Sequence, residues 1–228
     1  MFGRIAAGLV HDISHPIQNI GNSCKLILKL HDDSDYRSTF RRTVEREFAT
    51  IKRVLEDLRH LARPMPLERF PIDVNRSIAD VLESMRPLAA TAGLAIEIDL
   101  APQALSIEGD LFALGRVYRN LILNAIEATA PGGSITVRTR ERDGMVHIGF
   151  SDTGLGIPKD RLSAIFDDFN TTKRRGLGLG LAISRKIVEQ LAGTITVDSQ
   201  VGRGTTFMLE FPKSTVRPIA AQAAAAAG

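Results

Sequence analysis

Two apolar stripes near the start of the chain constrain its fold more than any other feature. From Ala6 the apolar positions Ala6, Val10, Ile13, Ile17, Ile20, Cys24 and Ile27 advance by four and three residues in turn, which keeps them in one narrow seam along an α-helix. The same steps return in Phe40, Val44, Phe48, Ile51, Leu55, Leu58 and Ala62, after the polar break His31-Asp32-Asp33-Ser34-Asp35. Two such helices with a short connection make an antiparallel hairpin. One hairpin buries a single side of each seam, so the economical arrangement pairs two hairpins as a four-helix bundle. A homodimer is therefore expected, the alternative being a hairpin packed back on the rest of its own chain. Cys24 lies on the seam, where a buried thiol is expected. As the lone cysteine it makes no internal disulfide.

Pro64 and Pro66 stop the second helix and leave Arg63–Arg69 as a linker, so residues 1–66 read as one domain. The pattern then changes. Strand-like stretches at Ala95–Leu100, Ile135–Arg140, Met145–Ser151, Thr194–Asp198 and Thr206–Phe211 alternate with helical stretches at Asn75–Ala90, Leu111–Ala130 and Leu179–Leu191. The turn Arg142-Asp143-Gly144 joins two strands as a hairpin, which argues against a purely parallel, doubly wound sheet. Residues 67–213 are thus expected to form an α/β sandwich with a mixed sheet, and the whole chain to be α+β. From Ser214 onward two prolines and an alanine run offer no amphipathic face, so 214–228 reads as a disordered Ala-rich tail.

Charge and hydropathy remove several function classes. The net charge is +3, and basic residues are scattered among acidic ones rather than gathered in a block, so no nucleic acid partner is expected. No run approaches the roughly 18 apolar residues of a spanning helix, and the N-terminus lacks a secretory leader pattern. The expectation is a cytoplasmic chain without direct membrane insertion, and the single cysteine fits a reducing compartment.

Several segments carry chemistry. In Gly8-Leu9-Val10-His11-Asp12-Ile13-Ser14-His15-Pro16-Ile17, a helical rotation of roughly 100° per residue puts His11 and His15 opposite the seam, one turn apart. Gln18 and Asn22 continue that polar face, which should be solvent-accessible. Attack on a phosphate needs an imidazole with one free nitrogen, and a neighbouring carboxylate can take the proton from the other. His11 is the candidate nucleophile and Asp12 its base. In Asn120-Leu121-Ile122-Leu123-Asn124-Ala125-Ile126-Glu127-Ala128, two amides one turn apart point the same way, and amide carbonyl oxygen suits Mg²⁺. In Asp152-Thr153-Gly154-Leu155-Gly156-Ile157-Pro158, at a strand end, Asp152 can accept from an amino group, while Gly154 and Gly156 let backbone approach a ligand. Asp-Thr-Gly also occurs in aspartic proteases, but the second catalytic motif and larger β-rich frame they need are absent. Ile165-Phe166-Asp167-Asp168-Phe169-Asn170-Thr171-Thr172-Lys173 precedes Gly176-Leu177-Gly178-Leu179-Gly180-Leu181, where glycines entering a helix present N–H groups to phosphate. The hairpin Gly202-Arg203-Gly204-Thr205-Thr206-Phe207 follows.

In their order and spacing these segments resemble the boxes of sensor histidine kinases of two-component systems, from Gly8 through Pro212. The resemblance implies a dimerisation and phosphoacceptor hairpin ahead of a Bergerat-type ATP-binding domain. It further implies Mg-ATP as substrate, autophosphorylation of His11, and phosphotransfer to an aspartate on a response regulator receiver domain. By that resemblance Asn124 holds the metal, Asp152 the adenine amino group, and Lys173, in a mobile lid, the phosphates. Asn120, Gly154, Gly156, Gly176, Gly178, Gly180 and Thr205 are carried over as nucleotide contacts. Because the acceptor box stands so near Met1, sensory input is expected from a separate protein or from further parts of a longer kinase. The sequence departs from the family at His15, where relatives carry threonine or asparagine implicated in dephosphorylating the regulator, and at Glu127, where many carry a basic residue. The competing readings are a phosphotransfer protein with a vestigial ATP site and a gyrase-like or chaperone-like ATPase.

Overall fold

A computed structural model describes residues 2–62, 66–171 and 178–216, with residues 2–12, 53, 56–58 and 60–62 described by backbone alone. The chain divides into two compact units, one of residues 1–65 and 167–180, the other of 66–166 and 181–228.

The first unit holds two long helices, α1 (Phe2–Leu30) and α2 (Ser34–Ala62). The polar break between them supplies the cap. Asp33 Oδ1 accepts from the backbone N–H groups of Asp35 (2.8 Å) and Tyr36 (3.1 Å), occupying donors that open α2 without helical partners. The Tyr36 hydroxyl donates to the Ser23 carbonyl at 3.0 Å and pins that end of α2 onto α1. The apolar seams are only half-covered within one hairpin: Ile17, Phe48 and Leu55 remain 54%, 59% and 53% exposed. Cys24 is exposed as well, so the expectation of a buried thiol is not met by the hairpin itself.

The second unit begins with β1 (Phe70–Asp73) and α3 (Val74–Thr91), followed by β2 (Ala95–Asp99), β3 (Ser106–Gly109), α4 (Leu111–Ala128), β4 (Ser134–Arg142), β5 (Met145–Asp152) and the short α5 (Lys159–Leu162). It continues through α6 (Gly180–Gln190), β6 (Thr194–Gln200) and β7 (Gly204–Pro212). The main sheet runs β2-β4-β5-β7-β6. Its β2–β4 pair is parallel and the other pairs are antiparallel, so the sheet is mixed and the fold α+β, as the sequence pattern implies. The β4–β5 hairpin turns through Asp143 (φ 53°) and Gly144 (φ 74°), both left-handed, which suits a tight two-residue connection.

Alternation along the strands turns one face of the sheet to the helices. Ile135, Val137, Val146, Ile148, Phe150, Phe207, Leu209 and Phe211 are buried on it, opposite Ile78 and Leu82 of α3 and Leu114, Val117, Leu121 and Ile122 of α4. Aspartates cap both of those helices: Asp73 accepts from the Arg76 N–H, and Asp110 from those of Phe112 and Ala113. One polar network crosses the core edge. The buried Thr139 hydroxyl accepts from the Ala101 N–H at 2.9 Å and donates to Asn75 Oδ1 at 2.8 Å, while the Asn75 amide donates to the Ala101 carbonyl at 2.9 Å.

Two strands lie outside the sequence expectation: β1 and β3 form a separate two-stranded antiparallel sheet, and Ile107 of β3 also bridges to Lys213, just beyond β7. The first residues of the expected tail are also paired, since the Ser214 N–H donates to the Ser106 carbonyl at 2.7 Å and the Ser106 hydroxyl to the Val216 carbonyl at 2.8 Å. Residues 217–228 lie outside the described ones. No helix among the described residues is long and apolar enough to cross a membrane.

Candidate functional site

Asp152 is the last residue of β5 and faces inward, 9% exposed. Strand register sets it opposite Ile135 of β4 and Thr205 of β7, so the end of the sheet presents it between two neighbours. Its Oδ1 accepts two backbone hydrogen bonds, from the N–H of Gly154 at 2.8 Å and of Thr205 at 3.2 Å. Burial pushes the Asp152 carboxyl above its ordinary value, opposed by those two N–H bonds, which favour the ionised form. Holding Oδ1 this way orients the carboxylate, and its other oxygen retains acceptor capacity for a ligand donor.

The glycines around Asp152 are steric requirements. A Cβ on Gly154 would overlap the Ala128 carbonyl oxygen, one on Gly156 (φ +70°) the Gln200 carbonyl, and one on Gly204 (φ +97°) the Asp152 carbonyl. These close approaches clamp residues 153–157 against the end of α4 on one side and the β6–β7 turn on the other. The Leu155 N–H donates to the Ala128 carbonyl at 3.0 Å, and the Gly202 N–H to the Leu155 carbonyl at 2.8 Å. Ser199 completes the clamp. Its buried hydroxyl accepts from the Ile157 N–H at 2.8 Å and lies 2.9 Å from both the Gly204 carbonyl oxygen and the Thr205 hydroxyl. Sequence reasoning missed Ser199 and named Gly204 only as part of a hairpin. A polar residue on the inward parity of β6, after Ile195 and Val197, was the available signal.

Asn124 lies one turn before Ala128 on α4 and is half-buried. The contacts at Ala128 therefore bring the asparagine helix to the Asp152 strand end. Among the described residues no three His, Cys, Asp or Glu side chains are grouped as a metal cage. A single amide oxygen such as that of Asn124 fits Mg²⁺, which keeps waters and takes most of its other ligands from nucleotide phosphates when these are bound. Asn120, a turn earlier, donates to the Ser184 hydroxyl of α6 at 3.0 Å, so its amide also ties two helices together.

Gly178 has φ +67°, and a Cβ there would come within 2.7 Å of the Asn170 carbonyl group; Gly180 opens α6. Lys173 and Gly176 fall outside the described residues. His11 and Asp12 are on α1, described by backbone alone. His15 is half-buried rather than fully on the solvent face, because Asn19, one turn on, reaches Glu47 of α2 and draws this side of α1 toward its neighbour.

Residues 109–215 match the family of histidine kinase-, DNA gyrase B-, and HSP90-like ATPases. Over 92% of its length the chain is 34% identical to the sensor histidine kinase ZraS of Klebsiella oxytoca. The solved catalytic domain of histidine kinase ThkA aligns with a TM-score of 0.60 at 31% identity, covering 64% of this chain and 96% of that one. The chain belongs to the histidine kinase family. A second ThkA structure, in complex with the response regulator protein TrrA, aligns over 93% of this chain and 62% of that one, with a TM-score of 0.74 and 26% identity. Against ZraS the chain spans 46% of the relative's length. The gyrase-like and chaperone-like alternative loses its ground, because similarity to a histidine kinase extends over the hairpin as well as the ATPase-like domain.

Proposed function

We propose that the chain is the catalytic core of an ATP-dependent protein-histidine autokinase that phosphorylates His11 and passes the phosphoryl group to an aspartate of a response regulator. The observation that carries this reading is the Asp152 cradle. A buried carboxylate with one oxygen fixed by backbone N–H groups, walled by glycines and set beside the asparagine-bearing end of α4, suits the amino edge of adenine better than a purely structural role. It stands in a chain whose relatives are histidine kinases and whose first helix carries the His11-Asp12 pair.

In this reading Asp152 accepts from the adenine amino group, Gly154 and Gly156 admit the nucleotide against backbone, and Thr205 holds Asp152 through its N–H. Asn120, Gly176, Gly178, Gly180 and Lys173 serve the nucleotide and its phosphates, and Asn124 holds Mg²⁺. When bound, Mg²⁺ supplies positive charge against the phosphate oxygens. A nitrogen of His11 attacks the γ-phosphorus in line as the bond to the ADP oxygen breaks, and Asp12 takes the proton from the other ring nitrogen. Transfer to a receiver aspartate then breaks the P–N bond and returns His11 to its starting form. The working form is a homodimer in the cytoplasm. Support for it lies in the apolar recess on α2 lined by Phe48, Ile51 and Leu55, with Lys52 and Arg59 at its edge, which a second hairpin would cover.

Incubation with γ-labelled ATP and Mg²⁺ tests the reading. Acid-labile label should appear on the wild type and at the end point on His15→Ala, and should be absent from His11→Ala. A wild type that binds ATP without taking label would leave a phosphotransfer protein as the better account.

A further inference from the structure

Ser184 puts a hydroxyl on the buried face of α6. It is 2% exposed, and Ile183, Ile187 and Val188 are buried with it. Its oxygen accepts from the Asn120 amide of α4 at 3.0 Å. Strand directions say where that bond stands. The Leu155 N–H reaches the Ala128 carbonyl, so the last turn of α4 is at the Asp152 end of β5. β6 runs the same way as β5, because both are antiparallel to β7, and it begins where Thr194 faces Glu210, the residue that faces His147 near the start of β5. α6 ends at Gln190, a short turn before Thr194, so its own start is directed back toward the Asp152 end. Asn124 stands one turn beyond Asn120 on α4, and Gly180 one turn before Ser184 on α6. The Asn120–Ser184 bond therefore lies one turn, about 5.4 Å, inward of both.

We propose that Ser184 is a positioning residue for phosphoryl transfer, acting through Asn120 to hold the start of α6 in fixed register with Asn124; this rests on Asn124 holding Mg²⁺ and on the glycines that open α6 serving the phosphates. Backbone N–H groups and a metal ion stabilise the charge of a transferring phosphoryl group only when both reach its oxygens together. One of these partners is on each helix. Apolar contacts between helices have no direction, whereas a hydrogen bond weakens steeply once its geometry is lost. An alanine would satisfy the packing of this face, and what the hydroxyl adds is register. Affinity for a nucleotide is the sum of many contacts, but in-line transfer depends on their relative placement. Loss of the bond therefore falls on the rate of transfer rather than on binding.

The test compares Ser184→Ala, Ser184→Thr and Ser184→Cys with wild type in the intact chain. Two quantities are read: the calorimetric Kd for Mg-ATP, and the initial rate of label transfer from γ-labelled ATP at saturating nucleotide. Ser184→Ala should keep a Kd within about twofold of wild type and lower the saturated rate roughly 3- to 10-fold, the range of one neutral hydrogen bond. Ser184→Thr, which keeps the hydroxyl, should recover most of that rate. Ser184→Cys, which fills the same space with a weak hydrogen-bonding group, should behave as Ser184→Ala does. A Kd weakened as much as the rate, or a rate that Cys restores and Thr does not, assigns the effect to packing and overturns the positioning role. Wild type that takes label no faster than Ser184→Ala overturns this role alone. Wild type that takes no label at all removes the autokinase reading, and this role with it.

Discussion

Replacing Asp152 with Asn should weaken nucleotide binding and at the same time stabilise the empty protein. An asparagine oxygen can still accept from the N–H groups of Gly154 and Thr205, so the cradle keeps its shape. The second carboxylate oxygen becomes an NH₂ group, which meets the adenine amino group donor to donor. Losing a hydrogen bond to a charged acceptor removes about 1.5–3 kcal/mol, or roughly 10- to 150-fold in Kd. Calorimetric titration with Mg-ATP and with Mg-tripolyphosphate separates the contact, because tripolyphosphate has no adenine and should bind both proteins alike. The stability effect has the opposite sign, since burial is the largest influence on the carboxyl and raises its pKa in the folded state above the ordinary 3.8. Above the raised value the group is ionised in both states, and the folded protein carries the full cost of a buried charge. As pH falls through that value toward 3.8 the native state takes up a proton before the unfolded chain does, and the cost disappears. Asp152→Asn should therefore melt higher than wild type at neutral pH, by a margin that narrows on acidification. Equal weakening of ATP and tripolyphosphate, or a lower neutral-pH melting temperature in the variant, would refute the reasoning.

Asn124→Ala should abolish Mg²⁺-dependent ATP use while leaving the fold intact by circular dichroism; retained turnover would remove its metal role. Gly204→Ala should cost about 3 kcal/mol or more in urea unfolding, because a left-handed backbone and overlap with the Asp152 carbonyl act together. Gly202→Ala, left-handed but with open space around its Cβ, should lose only about 1–2 kcal/mol. Thr139→Val should lose about 2–4 kcal/mol, since it strands the Ala101 N–H and one bond of Asn75 inside the core, and a loss below 1 kcal/mol would mean that water replaces the hydroxyl. Leu55→Glu, in the exposed apolar stripe of α2, should convert dimers to monomers in sedimentation; a wild type already monomeric at the same concentration would remove the bundle.

Periodicity sustained over many residues made most of the architecture legible. The two seams extend for several turns each, and β4, β5 and β7 alternate long enough to declare both their type and their inward face. The strands β1 and β3 offer four residues apiece, and Pro71 sits within the first, so no alternation could establish them. Cys24 shows the opposite limit: its spacing places it on a seam, but burial depends on what covers that seam. His15 is half-buried for a related reason. Helical angle alone puts it on the polar face, whereas Asn19, which meets His15, also reaches Glu47 on the other helix, a contact that no spacing within α1 reveals. Asp152, Gly154 and Gly156 stood out as chemical types, but nothing in the sequence registers Asp152 against Thr205.

That register explains why side-chain motifs describe the site incompletely. Both hydrogen bonds that orient Asp152 come from main-chain N–H groups, one two residues ahead and one across the β5–β7 ladder. The second donor exists in place only because β7 pairs in register with β5 over its whole length and because Gly204 lets the strand begin against the Asp152 carbonyl. Ser199 then links the Ile157 N–H to the Gly204 carbonyl and holds the loop and the turn as one piece. The acceptor geometry at Asp152 is thus a property of strand pairing, and a substitution that shifts β7 by a fraction of an ångström can weaken ligand recognition without altering any residue of the recognisable boxes.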